Sequence, residues 1–536
     1  MRLDIAKPAR LRPWHVALLA ASLFLLALTP RAVGVGLYMT QDEDIWLNRA
    51  SAFGVAIRHG DWQGTYRSGH PGVTTMWLAS LGLGPWVERL AERQERLITE
   101  VPGIMAALEA ARRPFVVASS VAVVLLVLLA WRLFGLGPAV IGGILLALDP
   151  FVVGHSQEVH LDTLLAGLMS LALLAALVRW TAGGGWPFLA LCGLTSGLAF
   201  VTKAPAAFLG LAVPLVAFLG RPRTFSDGRA AARDLLCWGL LALGTAGLAW
   251  PALLVAPLET TTRVIAFAVE NGGRPHGQSH LFFGQLVPDP GPLFYPVVLA
   301  FRLTPLAVVG LAALIALRPG APLGGRAGAL LALALGFLLF MTLGSKKIDR
   351  YLLPLFPLLD LLSGLGLWLL GGRLARYSRL GLAAPVLLLG LQAWSLATIL
   401  PYPLAYYDPL LGGAPAAARS IAVGHGEGLD QAARYINTQP DASEARVAVY
   451  SLLCEHFQAL IRGTAIRHDR AGPATYVVDY ITARQRDRRA RVDLVQPPAE
   501  VVWINGLDYV RVYRVRPAGV ARTQSDDQAA PGACVE

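Results

Sequence analysis

The chain has 536 residues, of which 55% are hydrophobic and only 15% charged, and its mean hydropathy is +0.53. Soluble domains carry about 25% charged residues, so a soluble globular enzyme is all but excluded before any motif is read. The net charge of +11 does not mark a nucleic-acid binder: residues 401–536 hold 15 Arg, no Lys and 15 acidic residues, which places the whole excess in the apolar first 400 residues. Basic residues between apolar segments are what the cytoplasmic loops of membrane proteins carry, and no nucleic-acid partner is expected.

The first apolar run, Trp14 to about Pro30, follows Arg2, Lys7, Arg10 and Arg12. That start resembles a signal peptide, but many further runs follow, so it reads as a retained first span. Further runs begin near Pro114, Pro138, Thr163, Trp186, Ala204, Leu235, Leu293, Ala327, Tyr351 and Gly381. A crossing helix needs about 20 apolar residues, so residues 1–400 are expected to form an all-α polytopic domain of about 11 transmembrane helices. Pro296, Arg302 and Pro305 interrupt the run from Leu293 to Leu317, which predicts a re-entrant or kinked segment. With the N-terminus inside, the inner loops hold Arg132, Arg179, Arg221, Arg223, Arg229, Arg233, Arg318, Arg326, Arg373, Arg376 and Arg379. The short outer loops hold only Lys203, Lys346, Lys347 and Arg350. This asymmetry and the odd span count predict a cytoplasmic N-terminus and an extracytoplasmic C-terminal domain.

Two outer loops, near 31–113 and 258–292, are long. In the first, Trp86, Leu90 and Leu97 share a helical face opposite Glu and Arg, which predicts a helix lying in the membrane interface. The second is rich in Gly, Pro and His and predicts an ordered loop over a site rather than a helix. Residues 401–536 change character and are expected to form a small α/β domain. Gly428–Asn437 reads as a helix, and Arg446–Ser451, Thr475–Ile481 and Val501–Ile504 read as strands. Asn505-Gly506 before Tyr509–Tyr513 reads as a hairpin, with a frayed end after 517. Four cysteines are too few for a disulfide framework. Cys192 and Cys237 read as packing residues, and Cys454 can pair with Cys534 only in an oxidising compartment.

Three adjacent carboxylates, Asp42, Glu43 and Asp44, open the first outer loop. They read either as a solvated loop start or as a general base or metal site with a raised or shared pKa. His155, Glu158, His160 and Asp162 lie between two apolar runs, where ionisable residues are costly and default to a functional role; a polar turn in the headgroup region is the alternative. His155 and His160 lack the spacing of a zinc-binding helix pair. Of only four lysines against 42 arginines, Lys203, Lys346 and Lys347 fall at outer membrane boundaries with Arg350 nearby. Such cations suit a phosphate, although lysines also snorkel from helix ends. His70, His276 and His280 are loop histidines that would converge over the site or serve as surface residues.

Taken together, the pattern resembles the polyprenyl-phosphate-sugar-dependent glycosyltransferases of the GT-C fold, in particular the protein O-mannosyltransferase and aminoarabinose transferase group (glycosyltransferase family 39-like) and its uncharacterised bacterial members. The resemblance rests on Asp42-Glu43 after the first span, Ser156–Asp162, Val201–Pro205, Arg350-Tyr351-Leu352-Leu353-Pro354, His280–Gly284 before Tyr295-Pro296-Val297, and Pro401–Gly413 with Gly426–Asp430. It implies an inverting transfer, at the outer face of a bacterial inner membrane, from a polyprenyl-phosphate-linked sugar to an acceptor hydroxyl on a protein, lipid or glycan. Carried over, Asp42 would be the base and Glu43 its neighbour or a metal or acceptor contact. Lys203, Lys346, Lys347, Arg350 and Tyr351 would hold the donor phosphate. Membrane lipids are the expected surroundings, and at most a divalent metal is expected as cofactor. One departure stands out: members commonly have an arginine after the serine of the fourth-span motif, where this chain has Gln157. A transporter or flippase of lipid-linked glycans is the competing reading, but it would place ionisable residues at the midplane and show repeats.

Overall fold

In the computed structural model, the structure describes residues 12–92, 97–220, 225–274, 277, 279–376, 384–469, 474–486, 497–515 and 534. His276, Arg221, Arg223 and Arg379, and the chain after 517 apart from Cys534, lie outside the described residues. The chain enters as α1 (Pro13–Ala32), a lipid-length apolar helix whose basic end turns inward. Arg31 is fully buried there, donating to Ala27 O at 2.8 Å and Ala147 O at 2.7 Å. The segment expected as a long loop is instead built from helices: α2 (Glu43–His59), α3 (Val73–Leu83) and α4 (Trp86–Ala91). The expected interfacial helix is corrected to six residues in α4. Its Val87 and Leu90 are buried, and Val87 O accepts from Ser51 Oγ of α2 at 2.7 Å, so tertiary packing rather than lipid claims its apolar side.

The membrane domain continues through α5 (Ile104–Phe134), α6 (Leu136–Leu148), α7 (Pro150–His155), α8 (Leu161–Thr181), α9 (Trp186–Phe200), α10 (Phe208–Leu219) and α11 (Phe225–Ala249). Short α12 (Pro251–Val255) and α13 (Pro257–Gly273) follow, then a hairpin of β1 (His280–Phe282) and β2 (Gln285–Val287). The expectation of a loop over 258–292 is therefore corrected at its first half. Apolar residues at a helical period outweigh the Gly and Pro, which cluster after residue 271.

Next come α14 (Phe294–Arg302), α15 (Pro305–Leu317), α16 (Leu323–Leu343), a 3-10 stretch over Asp349–Leu355 leading into α17 (Phe356–Leu374), and α18 (Ala384–Ile399). The α14–α15 pair is bent by 110°, as the proline pattern predicts. Pro305 takes the first helical position of α15, and Thr304 Oγ1 caps it by accepting from Ala307 N at 3.2 Å. Among the described residues, six helices are long and apolar enough to cross a membrane, or seven if the bent pair is one span. The other expected runs form shorter apolar helices, so the chain is a multi-pass membrane protein. Close helix approach rests on glycine: a Cβ at Gly364 of α17 would lie 2.4 Å from the Gly142 Cα of α6, and one at Gly366 1.8 Å from Gly310 O of α15.

The C-terminal domain contains α19 (Gly413–Ser420), α20 (Leu429–Asn437), β3 (Arg446–Val449), α21 (Cys454–Gln458), β4 (Thr464–Arg467), β5 (Tyr476–Tyr480), α22 (Ile481–Gln485), β6 (Glu500–Ile504) and β7 (Leu507–Arg514). The five strands form one sheet in the order β4-β3-β5-β7-β6, parallel across the first three and antiparallel thereafter. Asn505 and Gly506 both have positive φ, as the tight turn between β6 and β7 requires. Cys454 and Cys534 form a disulfide, which ties Cys534 to the start of α21. The domain is joined to the membrane domain by Phe283 N donating to Ser420 O at 2.9 Å and by an isolated antiparallel bridge between Phe282 and Ile421.

Candidate active site

The acidic triplet divides into three environments, because it straddles the start of α2. Asp42 is the N-cap, held at φ 72°, a left-handed conformation that a non-glycine residue adopts only under constraint. Its side chain is 42% exposed toward a cavity of about 570 Å³ between the membrane domain and the C-terminal domain. Arg350 Nη2 lies 2.5 Å from Asp42 Oδ2, and His160 Nε2 lies 3.8 Å from it. Burial would raise the Asp42 pKa, but the positive charge of Arg350, with His160 behind it, holds it well below the usual carboxylate range.

Glu43 points the other way and is fully buried. It accepts from Thr40 N and Thr40 Oγ1, both at 2.8 Å, from Val159 N at 2.8 Å and from Arg112 Nε at 2.8 Å, with Arg112 Nη2 on its second oxygen. A carboxylate so saturated ties α2, α5 and the segment before α8 together. It does not line the cavity, which corrects its expected place beside a metal or acceptor. Asp44 does line the cavity and takes a 3.3 Å contact from His456 Nε2 of α21.

Behind Asp42 the residues from the other motifs converge. Asp162, at the start of α8, is paired with Lys203 Nζ at 2.5 Å, His160 Nδ1 at 2.9 Å and Arg350 Nε at 3.4 Å. Lys203 sits 4.0 Å above the Tyr351 ring and is buried, so its charge is met by Asp162 and the ring rather than facing the cavity. Lys346 donates to Asn271 Oδ1 of α13 at 2.8 Å, and the Asn271 amide nitrogen lies 3.3 Å from His70 Nε2. Burial, helped by Lys203 and Lys346, pushes the His70 pKa down to about 3, so its imidazole is neutral. Lys347 and His280 line the cavity, but the Lys347 ammonium caps carbonyls at the end of α16, Thr342 O at 3.0 Å and Gly344 O. His155 is not among the residues lining the cavity and pairs with Glu158 at 2.8 Å.

Sequence reasoning missed the residues that the C-terminal domain and α13 contribute. His425 lies 3.6 Å from Asp349 and has its ring 6.0 Å from that of His155. Burial alone would lower its pKa, but the hydrogen bond to Asp349 and the charge there raise it; Asp44 does the same for His456. The glycines flanking His425 were the available signal; nothing in the sequence singled out His456 or Asn271. Gln157, the departure from the family pattern, donates to Pro30 O at 3.3 Å, Arg31 O at 3.1 Å and Val33 O at 2.7 Å, closing the end of α1. Among the described residues no group of three His, Cys, Asp or Glu side chains could hold a divalent metal, and Asp42 and Asp162 are paired with Arg350 and Lys203.

Residues 96–243 match the sequence model of the dolichyl-phosphate-mannose-protein mannosyltransferase family. No curated protein matches. Among solved structures, the chain is similar to ArnT from Cupriavidus metallidurans in the apo state, with 16% identity over 93% of this chain and 98% of that one and a TM-score of 0.49. The same enzyme bound to undecaprenyl phosphate aligns at 16% identity over 95% and 100% of the two chains, with a TM-score of 0.44. The archaeal oligosaccharyltransferase AglB from Archaeoglobus fulgidus, in complex with an inhibitory peptide and a dolichol-phosphate, aligns at 15% identity over 88% and 70%, with a TM-score of 0.45.

Proposed function

We propose that this chain is a glycosyltransferase of the GT-C type. It moves a hexosyl or pentosyl group from a polyprenyl-phosphate donor to an acceptor hydroxyl, with inversion, at the outer face of a bacterial inner membrane. One observation carries the reading: a cavity-facing carboxylate, Asp42, is paired at 2.5 Å with a cation, Arg350, in a polytopic protein. The match of residues 96–243 to a lipid-phosphate-mannose transferase family supports the donor class.

The step needs few groups. The acceptor oxygen attacks the anomeric carbon on the face opposite the phosphate and its proton passes to Asp42. The bond from that carbon to the phosphate oxygen breaks, and its electron pair leaves with the phosphate. A phosphate leaving group needs no proton donor, only cations. Arg350 supplies one, and Lys346 supplies a second from the α13 side. While Arg350 holds Asp42, the carboxylate is a weak base; drawing Arg350 onto the phosphate releases Asp42 toward its ordinary range. The C-terminal domain closes the cavity and offers Ser451, Glu455 and His456 as the acceptor-side wall. The acceptor is a protein, lipid or cell-envelope glycan.

Polyprenyl-phosphate release from a panel of polyprenyl-phosphate sugars by the detergent-purified protein tests this. Asp42→Asn is expected to lower release by about 10²- to 10⁴-fold, the span of general-base catalysis. Equal release by wild type and variant would move the base elsewhere. No release from any donor, with flipping of lipid-linked glycans in reconstituted vesicles, would replace the reading with transport.

A further inference from the structure

Helix α13 has three distinct faces. Leu258, Ile265 and Val269 are 81%, 57% and 70% exposed, and their spacing of seven and four residues puts them on one line along the helix. The opposite side packs against the site: Thr260 is buried, Phe267 meets the His70 ring at 4.7 Å, and Asn271 joins His70 to Lys346. The flank between them carries Glu259 with Arg263 at 2.6 Å and Glu270 with Arg274 at 3.0 Å. Contact with the site is close, since a Cβ at Gly69 would fall 2.2 Å from the Phe267 ring, and Ser345 N also donates to Gly272 O at 3.2 Å.

We infer that α13 lies on the bilayer surface, with Leu258, Ile265 and Val269 in contact with lipid, and that this docking sets the position of Lys346 through Asn271. The occupant is lipid rather than protein because the exposed stripe continues an apolar surface that already faces the membrane. Leu240, Leu243 and Leu248 of the spanning helix α11 are 61%, 71% and 81% exposed, and Leu254 and Val255 of α12, at 61% and 53%, connect them to α13. An amphipathic helix with paired charges along its flank suits the boundary between headgroups and acyl chains. The neutral state of His70 also fixes the amide: Lys346 can only donate, so Asn271 Oδ1 faces it and the amide N–H faces the free nitrogen of His70. Asn271 is thus a positioning residue for a cation of the site.

The lipid contact is read without any assay of activity. In the full-length protein with Cys192→Ser and Cys237→Ser, nitroxide labels are placed singly at Ile265→Cys, Val269→Cys and Glu270→Cys. The labelled proteins are reconstituted in phosphatidylethanolamine–phosphatidylglycerol nanodiscs. Labels at 265 and 269 are expected to be accessible to oxygen and shielded from a water-soluble nickel chelate, and the label at 270 the reverse. Nickel access at 269 equal to that at 270 would overturn the docking, and the 269 and 270 labels decide it if the 265 variant does not fold. The coupling to Lys346 rests on the proposed function. Asn271→Ala is expected to raise the donor KM about tenfold, the loss of one bond to a charged group, with kcat changed far less. Ile265→Asn/Val269→Asn should raise the same KM, and adding it to Asn271→Ala should have little further effect. Lipid contact with fully additive KM effects would leave α13 a membrane anchor and overturn the coupling. A protein with no transferase activity would still show the label pattern, so the two readings fail separately.

Discussion

Asp42 and Glu43 are neighbours with opposite fates, and the difference lies in which way α2 begins. The left-handed turn at Asp42 throws its carboxylate toward the cavity, while Glu43, one residue on, drops into a buried nest of five donors. Removing the charge from Glu43 leaves Arg112 buried without a counter-charge, and breaking a buried pair costs about 3–5 kcal/mol. Glu43→Gln is therefore expected to lower the thermal midpoint in detergent markedly. Asp42→Asn, at a half-exposed position, should leave the midpoint nearly unchanged while removing activity. A Glu43→Gln protein as stable as wild type would contradict the anchoring role. Arg350→Lys keeps a charge but loses the planar fork that reaches both Asp42 and Asp162, and is expected to weaken donor binding about tenfold at unchanged fold. Donor titration by a binding assay checks it.

At the scale of elements, α21 and the turn bearing His425 bring the C-terminal domain onto the site, each through a histidine facing a carboxylate. His456 meets Asp44, and His425 meets Asp349. Both histidines have their folded pKa raised above the unfolded value of about 6.5, burial being more than offset by the adjacent carboxylates. The contribution of a raised group is fully present below the unfolded pKa and is lost as pH rises through the folded one. Docking of the domain should thus be strongest in mildly acidic medium and loosen above neutrality. Hydrogen exchange at α21 across that range should show protection falling as pH rises, and His456→Gln should flatten the dependence. Protection that rises with pH would reject this account. Asp42 works in the opposite sense: its depressed pKa means its pairing with Arg350 is lost only in strong acid, below the ordinary carboxylate range.

For the whole molecule, the Cys454–Cys534 disulfide closes a separation of 80 residues and holds Cys534 at the cavity wall. Cross-links of this kind add about 2–4 kcal/mol, chiefly by restricting the unfolded chain. Cys454→Ser is expected to lower the stability of the domain by that order, read by thermal unfolding with and without reductant. An equal midpoint with and without reductant would mean the bond adds nothing. The disulfide also accords with a domain outside the cytoplasm, which a membrane-impermeant thiol reagent applied to cells carrying Ser420→Cys tests directly; labelling only after lysis would reverse the topology.

By itself the amino-acid sequence determined the membrane character, the order of the apolar helices, the bent segment at Pro305, and the hairpin at Asn505-Gly506. These follow from hydropathy, proline and turn chemistry, all carried by residues close in the chain. The candidate cluster was legible only as motifs. Which carboxylate faces the cavity, that Lys203 is matched by Asp162 and Tyr351, and that α4 packs inward were decided by the tertiary structure. So were the entry of His425, His456 and Asn271 into the site and the helical course of α13. The physical reason is distance along the chain. Arg350 reaches Asp42 across 308 positions and His456 reaches Asp44 across 412, and no local pattern records whether a buried charge will meet its partner.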